Sequence, residues 1–303
     1  MNFDTEVRRG YEISSDMKKV WNIQVELVKK VLEVCKKHNL KIWAGYGTLL
    51  GTVRDKGYIP WDDDMDLVMF RDDYEKLLKV ASSEFKEPFF FQNAYTEEKY
   101  PRGHSQVRYN GTAAILPCDI HTKFNQSIFI DIFVLDAIPK DKLTFTSNAV
   151  RAEFLRTLLI MRTYERFSLR PKAFAKFLLS RVFFACFNYR KIYQMFEEIY
   201  SKNNAVEHKD EYSNPAFTLS QVFINIQKKE WYSDTIYMPF EDIQMPVPVG
   251  YDEILTNQYG DYMTPVKAPS YHGGVIFDTE RPYTEVLKDI KSGKIDIKKY
   301  LNE

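Results

Sequence analysis

Apolar positions recur every three to four residues over residues 14–38, at Trp21, Val25, Val28, Leu32 and Cys35 with lysines between them, which predicts a long amphipathic helix stopped at Asn39. The pattern then shortens: residues 41–44 read as a brief strand, Gly45-Tyr46-Gly47-Thr48 as a tight turn, and residues 49–54 as helix. After a loop holding Gly57 and Pro60, residues 64–70 read as a buried strand and 71–82 as a helix. Residues 89–91, 106–109 and 127–134 are further strand-like runs, separated by turn residues such as Asn110-Gly111. From Val150 to Tyr200 there is no glycine and one proline, Pro171, and the stretch is predicted to be helical. Residues 243–247 are predicted to form an edge strand because of Pro246, and 251–259 a helix ended by Gly260.

Strands and helices that alternate early, followed by a helical stretch, predict an α/β (α+β) fold: a mixed sheet flanked by helices, with a helical insertion. The expected division is a catalytic core over 1–140, a basic, aromatic-rich helical insertion over 141–215, and a C-terminal segment over 216–303 that completes the core and the substrate cleft.

Charge and cysteines narrow the class. Among 303 residues, 42 basic side chains balance 42 acidic ones, which removes the usual field of a nucleic-acid binder, and no nucleic-acid partner is expected. Cys35, Cys118 and Cys186 are few and far apart, as suits a reducing cytoplasm. The N-terminus lacks the apolar stretch of a signal peptide, and no apolar run is long enough to span a bilayer. Cys118 and His121, with His104, lack a convincing second pair of ligands, so zinc is not expected.

The candidate chemistry lies in carboxylates. Asp64 and Asp66 are two residues apart in a predicted strand, so their side chains share a face, and like charges held together call for a cation between them. Magnesium takes such hard oxygens together with substrate phosphates. An isolated Asp-x-Asp is more often a solvated acidic loop, but here Trp61 and Leu67-Val68-Met69-Phe70 bound the acidic run and place Asp66 at the mouth of a buried strand. Asp131 sits within Ile128-Phe129-Ile130-Asp131-Ile132-Phe133-Val134, where a carboxylate is costly unless hydrogen-bonded, paired or metal-bound. The Gly45-Tyr46-Gly47-Thr48 turn before a helix can offer N–H groups and a hydroxyl to phosphate, although most such glycines simply make turns.

The order strand, glycine turn, helix, Asp-x-Asp strand and later strand aspartate resembles the LicD family of phosphocholine transferases, related to fukutin-type proteins. The resemblance is carried by Trp43 to Arg54 (WAGYGTLLGTVR), Ile59 to Asp66 (IPWDDDMD), Phe129 to Phe133 (FIDIF) and Tyr259 to Pro265 (YGDYMTP), and covers most of the chain outside the insertion. It implies a nucleotidyltransferase-like fold, with Asp64, Asp66 and Asp131 as catalytic and metal carboxylates for Mg2+ or Mn2+ and with Gly45, Gly47 and Thr48 at the nucleotide phosphates. The family's usual second glycine falls at Tyr46. Tyr46 is expected to keep an ordinary backbone angle while the flanking glycines absorb any unusual one.

The resemblance further implies transfer of phosphocholine or a related phospho-alcohol from a CDP-linked donor, CDP-choline foremost, to a sugar hydroxyl of a cell-surface glycan or lipid-linked oligosaccharide. Teichoic acid, capsule and lipopolysaccharide precursors are the acceptors it suggests. Arg54 and Arg108 are assigned by position to donor phosphates, with a surface salt-bridge role as the alternative. Asp131 could ligate metal or accept the acceptor's proton. Trp61, Asp62, His104, Asp261 and His272 complete the candidate substrate contacts.

Net neutrality conceals one segregated region: between Arg151 and Lys191, ten basic residues stand against Glu153 and Glu165, with phenylalanines and leucines interleaved. Such helices either pack on the core or lie at the inner face of the cytoplasmic membrane, where a lipid-linked acceptor would be met. The competing readings of function are a nucleotide-sugar-dependent glycosyltransferase using the Asp-x-Asp site and a non-catalytic glycan-binding scaffold. Only about sixty residues precede the acidic motif and the glycine turn sits directly upstream, which favours nucleotidyl-type chemistry.

Overall fold

The structure is a computed structural model that describes residues 2–163, 174–175, 177–178, 181–182, 184, 187–205, 210–267 and 274–300. A short hairpin, β1 (Glu6–Arg8) and β2 (Tyr11–Ile13), leads into helix α1 (Ser15–Lys37). Ser14 caps α1 by accepting a hydrogen bond from Met17 N, and Asp16 at its start and Lys36 and Lys37 at its end suit the helix dipole. Its apolar stripe, including Trp21, Val25 and Val28, is fully buried in the main core.

Next come β3 (Trp43–Ala44), the short helix α2 (Tyr46–Leu50), which runs on as a π turn over Gly51–Asp55, then β4 (Asp66–Phe70) and α3 (Arg71–Glu84). Strands β5 (Phe89–Gln92), β6 (Ser105–Tyr109), β7 (Ala113–Ile115) and β8 (Ile128–Ala137) follow. β8 is the spine of a curled mixed sheet. β4 lies parallel along one edge, with β3 beyond it, while the other edge is shared by β6 with β5 and, at the far end, by β9 (Glu211–Ser213) with β10 (Gln227–Lys228). Every residue of β8 is buried, as its apolar run requires of a central strand.

Within the region read as an insertion, α4 (Lys142–Thr163) packs Phe145, Ala149, Ala152, Leu155 and Leu159 against Ile192, Tyr193 and Phe196 of α5 (Tyr189–Ser201). The opposite face of α4 leaves Leu143, Val150 and Phe154 exposed, so this helix is apolar on both sides. A buried ion pair ties α5 to the sheet. Arg71 grips both oxygens of Asp136 at 2.8 and 2.7 Å and donates to Glu197 of α5 at 2.7 Å, while Asn204 Nδ2 donates to Asp136 Oδ1 at 2.6 Å.

The remainder comprises α6 (Leu219–Ile224), the ribbon of β11 (Thr235–Phe240) and β12 (Ile243–Pro248), α7 (Tyr251–Tyr259), and β13 (Ile276–Asp278) leading to α8 (Tyr283–Lys291). The expected edge strand is β12, paired with β11 in a two-stranded ribbon, and α7 ends at Gly260 in a positive-φ turn. β13 pairs with β7 apart from the main sheet. Among the described residues, no helix is long and apolar enough to cross a membrane.

Candidate active site

β4 and β8 run parallel in a register that sets Asp66 directly beside Asp131. The strand ladder places Asp66 at the first position of β4, and Asp64 lies just before it rather than inside the strand as expected. Extended pairing nonetheless reaches back that far, since Asp131 N donates to Met65 O at 2.8 Å. Asp64, Asp66 and Asp131 therefore each offer a carboxylate oxygen, all within 4.8 Å of one another, and the cluster can hold a metal ion. Asp62, Asp63 and Asp64 form a second such group that shares Asp64.

The electrostatics fit a cation. Burial, then the charges of Asp64, Asp131 and Asp62, push the Asp66 carboxyl well above the usual range, and burial with Asp64 and Asp63 does the same to Asp62. Asp131 goes the other way. Burial alone would raise it, but the neighbouring His104 and a 2.6 Å hydrogen bond from Gln106 Nε2 to its Oδ1 hold it below the usual range. His104 Nε2 stands 3.3 Å from the same oxygen, and its ring packs on Phe133 with centroids 4.4 Å apart.

The glycine turn braces these strands. Gly45 N donates to Asp66 O at 2.9 Å, and Thr48 Oγ1 accepts from Asp66 N at 2.8 Å, so the hydroxyl expected at phosphate is engaged with the backbone of β4. A Cβ at Gly45 would lie 2.6 Å from Val68 Cγ1, and one at Gly47 would lie 2.8 Å from Asp62 Oδ2. Both glycines thus let the turn press onto the carboxylate strand. Tyr46, not its glycine neighbours, takes the left-handed backbone angle, with φ of 44°, whereas Gly45 is extended at −122°. That corrects the expectation of an ordinary angle there and gives a physical reason for a glycine at this position. The Tyr46 ring compensates by packing edge-on against Phe133 and Phe217, and its hydroxyl accepts from Asn214 Nδ2.

Two arginines read as phosphate ligands are occupied elsewhere. Arg108 is 2% exposed; it donates to Gln92 and Gln106 side chains and, at 2.6 Å, to Ser127 O, with its guanidinium 4.9 Å from the Phe129 ring centre. Burial and the charge of Arg102 lower it to about 10. It supports the site indirectly, because the Gln106 amide that receives its hydrogen bond is the one that holds Asp131. Arg54 donates to Asp55 at 2.8 Å and to Tyr262 O at 3.1 Å, fastening the π turn to the segment after α7.

Trp61 meets Tyr11 edge-on at 6.3 Å, and Asp62 is anchored through its carbonyl by Trp21 Nε1. Asp261 is exposed and accepts from its neighbour Thr264. His272 lies outside the described residues. Arg102 was not singled out from the sequence: it is coupled electrostatically to Asp131 and paired to Asp119 at 2.6 Å. Its only sequence signal is an arginine between Pro101 and Gly103 just ahead of β6.

Lipopolysaccharide cholinephosphotransferase LicD of Haemophilus influenzae is 28% identical over 239 residues, covering 76% of this chain and 84% of that protein. An uncharacterised protein of Rickettsia prowazekii is 31% identical over 137 residues, 45% of this chain and 46% of its own length. A second one, from Rickettsia typhi, is 43% identical over 70 residues, 23% of this chain and 21% of its own. Residues 39–159, which hold the glycine turn and all three carboxylates, match the family described as LicD/FKTN/FKRP, nucleotidyltransferase domain, and over that stretch the chain is similar to it.

Proposed function

We propose that the protein is a phosphotransferase that moves phosphocholine, or a related phospho-alcohol, from a CDP-linked donor to a sugar hydroxyl of a cell-surface glycan, with Mg2+ or Mn2+ held by Asp64, Asp66 and Asp131. The observation that carries this reading is the triad of carboxylate oxygens within 4.8 Å, two of whose members come from register-paired strands in the stretch similar to the LicD family. The lipopolysaccharide cholinephosphotransferase activity for which the Haemophilus influenzae relative is named supports a choline-phosphate donor and favours a lipopolysaccharide acceptor over teichoic acid or capsule.

In the reaction, the acceptor hydroxyl oxygen attacks the phosphorus that bears choline. The bond from that phosphorus to the bridging oxygen breaks, CMP leaves with the electron pair, and the hydroxyl proton passes to a nearby base or to solvent. The metal, when bound, supplies neutralisation of charge on the phosphate oxygens. The chain's own groups arrange the rest. Gln106 and His104 keep Asp131 ionised and oriented, and Thr48 and Gly45 fix the start of β4.

Incubation with Mg2+ or Mn2+ and a panel of CDP-linked alcohols, followed by assay of released CMP in the presence of glycan acceptors, tests the reading. Release with at least one donor, abolished in Asp66→Asn, is the expected result. No release with any pair, or undiminished release from that variant, refutes it.

The exposed face of α4 supports working contact with the inner face of the cytoplasmic membrane, where a lipid-linked acceptor would present its sugar. Leu143, Val150 and Phe154 lie on one side of a helix whose second half opens the basic stretch that begins at Arg151. Co-sedimentation with anionic vesicles at low salt should fall in a Leu143→Ser/Phe154→Ser variant; equal pelleting of both proteins refutes the contact.

A further inference from the structure

A diphosphate donor needs a cation or N–H-rich partner beyond the metal; all three guanidinium nitrogens of Arg108 are engaged by Gln92, Ser127 O and Gln106, and Arg54 is tied to Asp55 and Tyr262 O. Arg102 is less committed. Its Nη2 donates to Asp119 at 2.6 Å, and its guanidinium lies 5.6 and 5.3 Å from the ring centres of Tyr100 and Phe124, yet its Nη1 is buried with no hydrogen-bond partner. The residues two before and two after repeat the situation. The Tyr100 hydroxyl is buried and unpartnered, and His104 Nε2 makes no aligned hydrogen bond although Asp131 Oδ1 is 3.3 Å away.

An unsatisfied buried polar group costs about 1–3 kcal/mol, and native proteins carry few of them. Two within three residues, with the loosely held His104 two positions on against Asp131, form a concentration of hydrogen-bond donors short of acceptors. The segment is also held rigidly. Tyr189 and Tyr193 of α5 donate to the carbonyls of Tyr100 and Arg102 at 3.0 and 3.2 Å, and a Cβ at Gly103 would come within 3.0 Å of Phe196 and of the Ala216 backbone. Donors fixed in advance are what binding of an oxyanion requires.

We propose that Tyr100, Arg102 and His104 form the site for phosphate oxygens of the nucleoside diphosphate-linked donor, beside the carboxylate triad. Arg102 is the principal contact: a guanidinium already anchored by Asp119 on one side presents its remaining N–H groups to a phosphate in a fixed plane. The assignment deepens the phosphotransferase reading and rests on it for the identity of the donor, but the affinity for diphosphate can be measured without turnover.

The test is calorimetric titration of the full chain with inorganic pyrophosphate in the presence of Mg2+, alongside CMP release from CDP-choline. Arg102→Gln is expected to weaken pyrophosphate binding tenfold or more and to raise KM for the donor with KM for the acceptor unchanged, while Arg102→Lys recovers part of both. His104→Gln, scored the same way, serves if Arg102→Gln does not fold, and Arg190→Gln, an exposed arginine beside Tyr95, controls for loss of a charge. Pyrophosphate binding indifferent to both substitutions overturns the site, whether or not CMP is released. Binding that depends on Arg102 with no CMP release upholds the phosphate site and refutes CDP-choline as donor.

Discussion

Asp66 and Asp131 are partners across a parallel strand pair, so the separation of their backbones is that of neighbouring strands in a sheet, roughly 4.8 Å. Asp131 is buried and Asp66 half-buried; carboxylates at that spacing repel, and Asp64 adds a third charge. Asp66→Asn removes one charge while keeping shape. It should lower turnover roughly a hundredfold or more and, measured without metal, raise the melting temperature. A fall in metal-free stability would mean that Asp66 is not under the repulsion described.

The pH dependence follows from the same groups. Asp62 and Asp66 have raised folded-state values, so they bind protons more readily folded than unfolded, and their contribution to stability is lost as pH rises from about 4, the ordinary carboxylate range, through those raised values. Asp131 opposes this, its stabilisation being present above the ordinary range and lost as pH falls. A divalent ion relieves the repulsion only where the carboxylates are ionised. The rise in melting temperature on adding Mg2+ should therefore be larger at pH 8 than at pH 5, and amount to a few degrees at a hundredfold excess over Kd, where ligand binding contributes about 2.7 kcal/mol. Scanning calorimetry at the two pH values decides it.

Gln106 serves two charges at once, donating to Asp131 and accepting from Arg108. Gln106→Leu leaves the buried Arg108 hydrogen without an acceptor and frees Asp131 to turn. Denaturant unfolding should show a loss of about 2 kcal/mol, the scale of a hydrogen bond to a charged group. Restoration by adding Arg108→Met to the same chain would identify the unpaired guanidinium as the source.

Gly45 and Gly47 separate stability from function. Gly45→Ala sets a methyl group 2.6 Å from Val68 Cγ1, overpacking that should cost about 1–3 kcal/mol and be partly repaired by Val68→Ala. Gly47→Ala instead meets a carboxylate oxygen of Asp62 at 2.8 Å, and its main effect should be on turnover and Mg2+ affinity. Equal behaviour of the two variants in both assays would contradict the structure.

Long periodic elements were legible in the sequence. Helix α1 and helix α7 match the apolar spacing and its stop signals to within a residue, and Asp131 stood out because a carboxylate among large apolar residues must be hydrogen-bonded, paired or metal-bound, as Asp136 of the same strand is paired to Arg71. The β1–β2 hairpin and the β7–β13 pair have three residues per strand, too few for a period to register, and α8 starts behind Pro282 without a side-chain cap. Arg108 is engaged away from the carboxylates for a geometric reason. Gln106 and Arg108 share a face of β6, but Gln106 is the residue in register with Asp131, and Arg108 sits two positions, roughly 7 Å, farther along and under the core. Arg102 was invisible because its significance depends on α5, about ninety residues later, which no local pattern connects to it.

That connection bears on how the chain can be dissected. Helix α5 was read as part of a helical insertion over 141–215, and its tyrosines hold Tyr100 and Arg102, its Phe196 fills the space left by Gly103, and its Glu197 completes the shell around Arg71. A protein trimmed of residues 141–215 would keep all three carboxylates and lose the scaffold beneath the stretch that faces them. The expected consequence of the trimming is a loosened Tyr100–His104 stretch beneath an intact carboxylate triad.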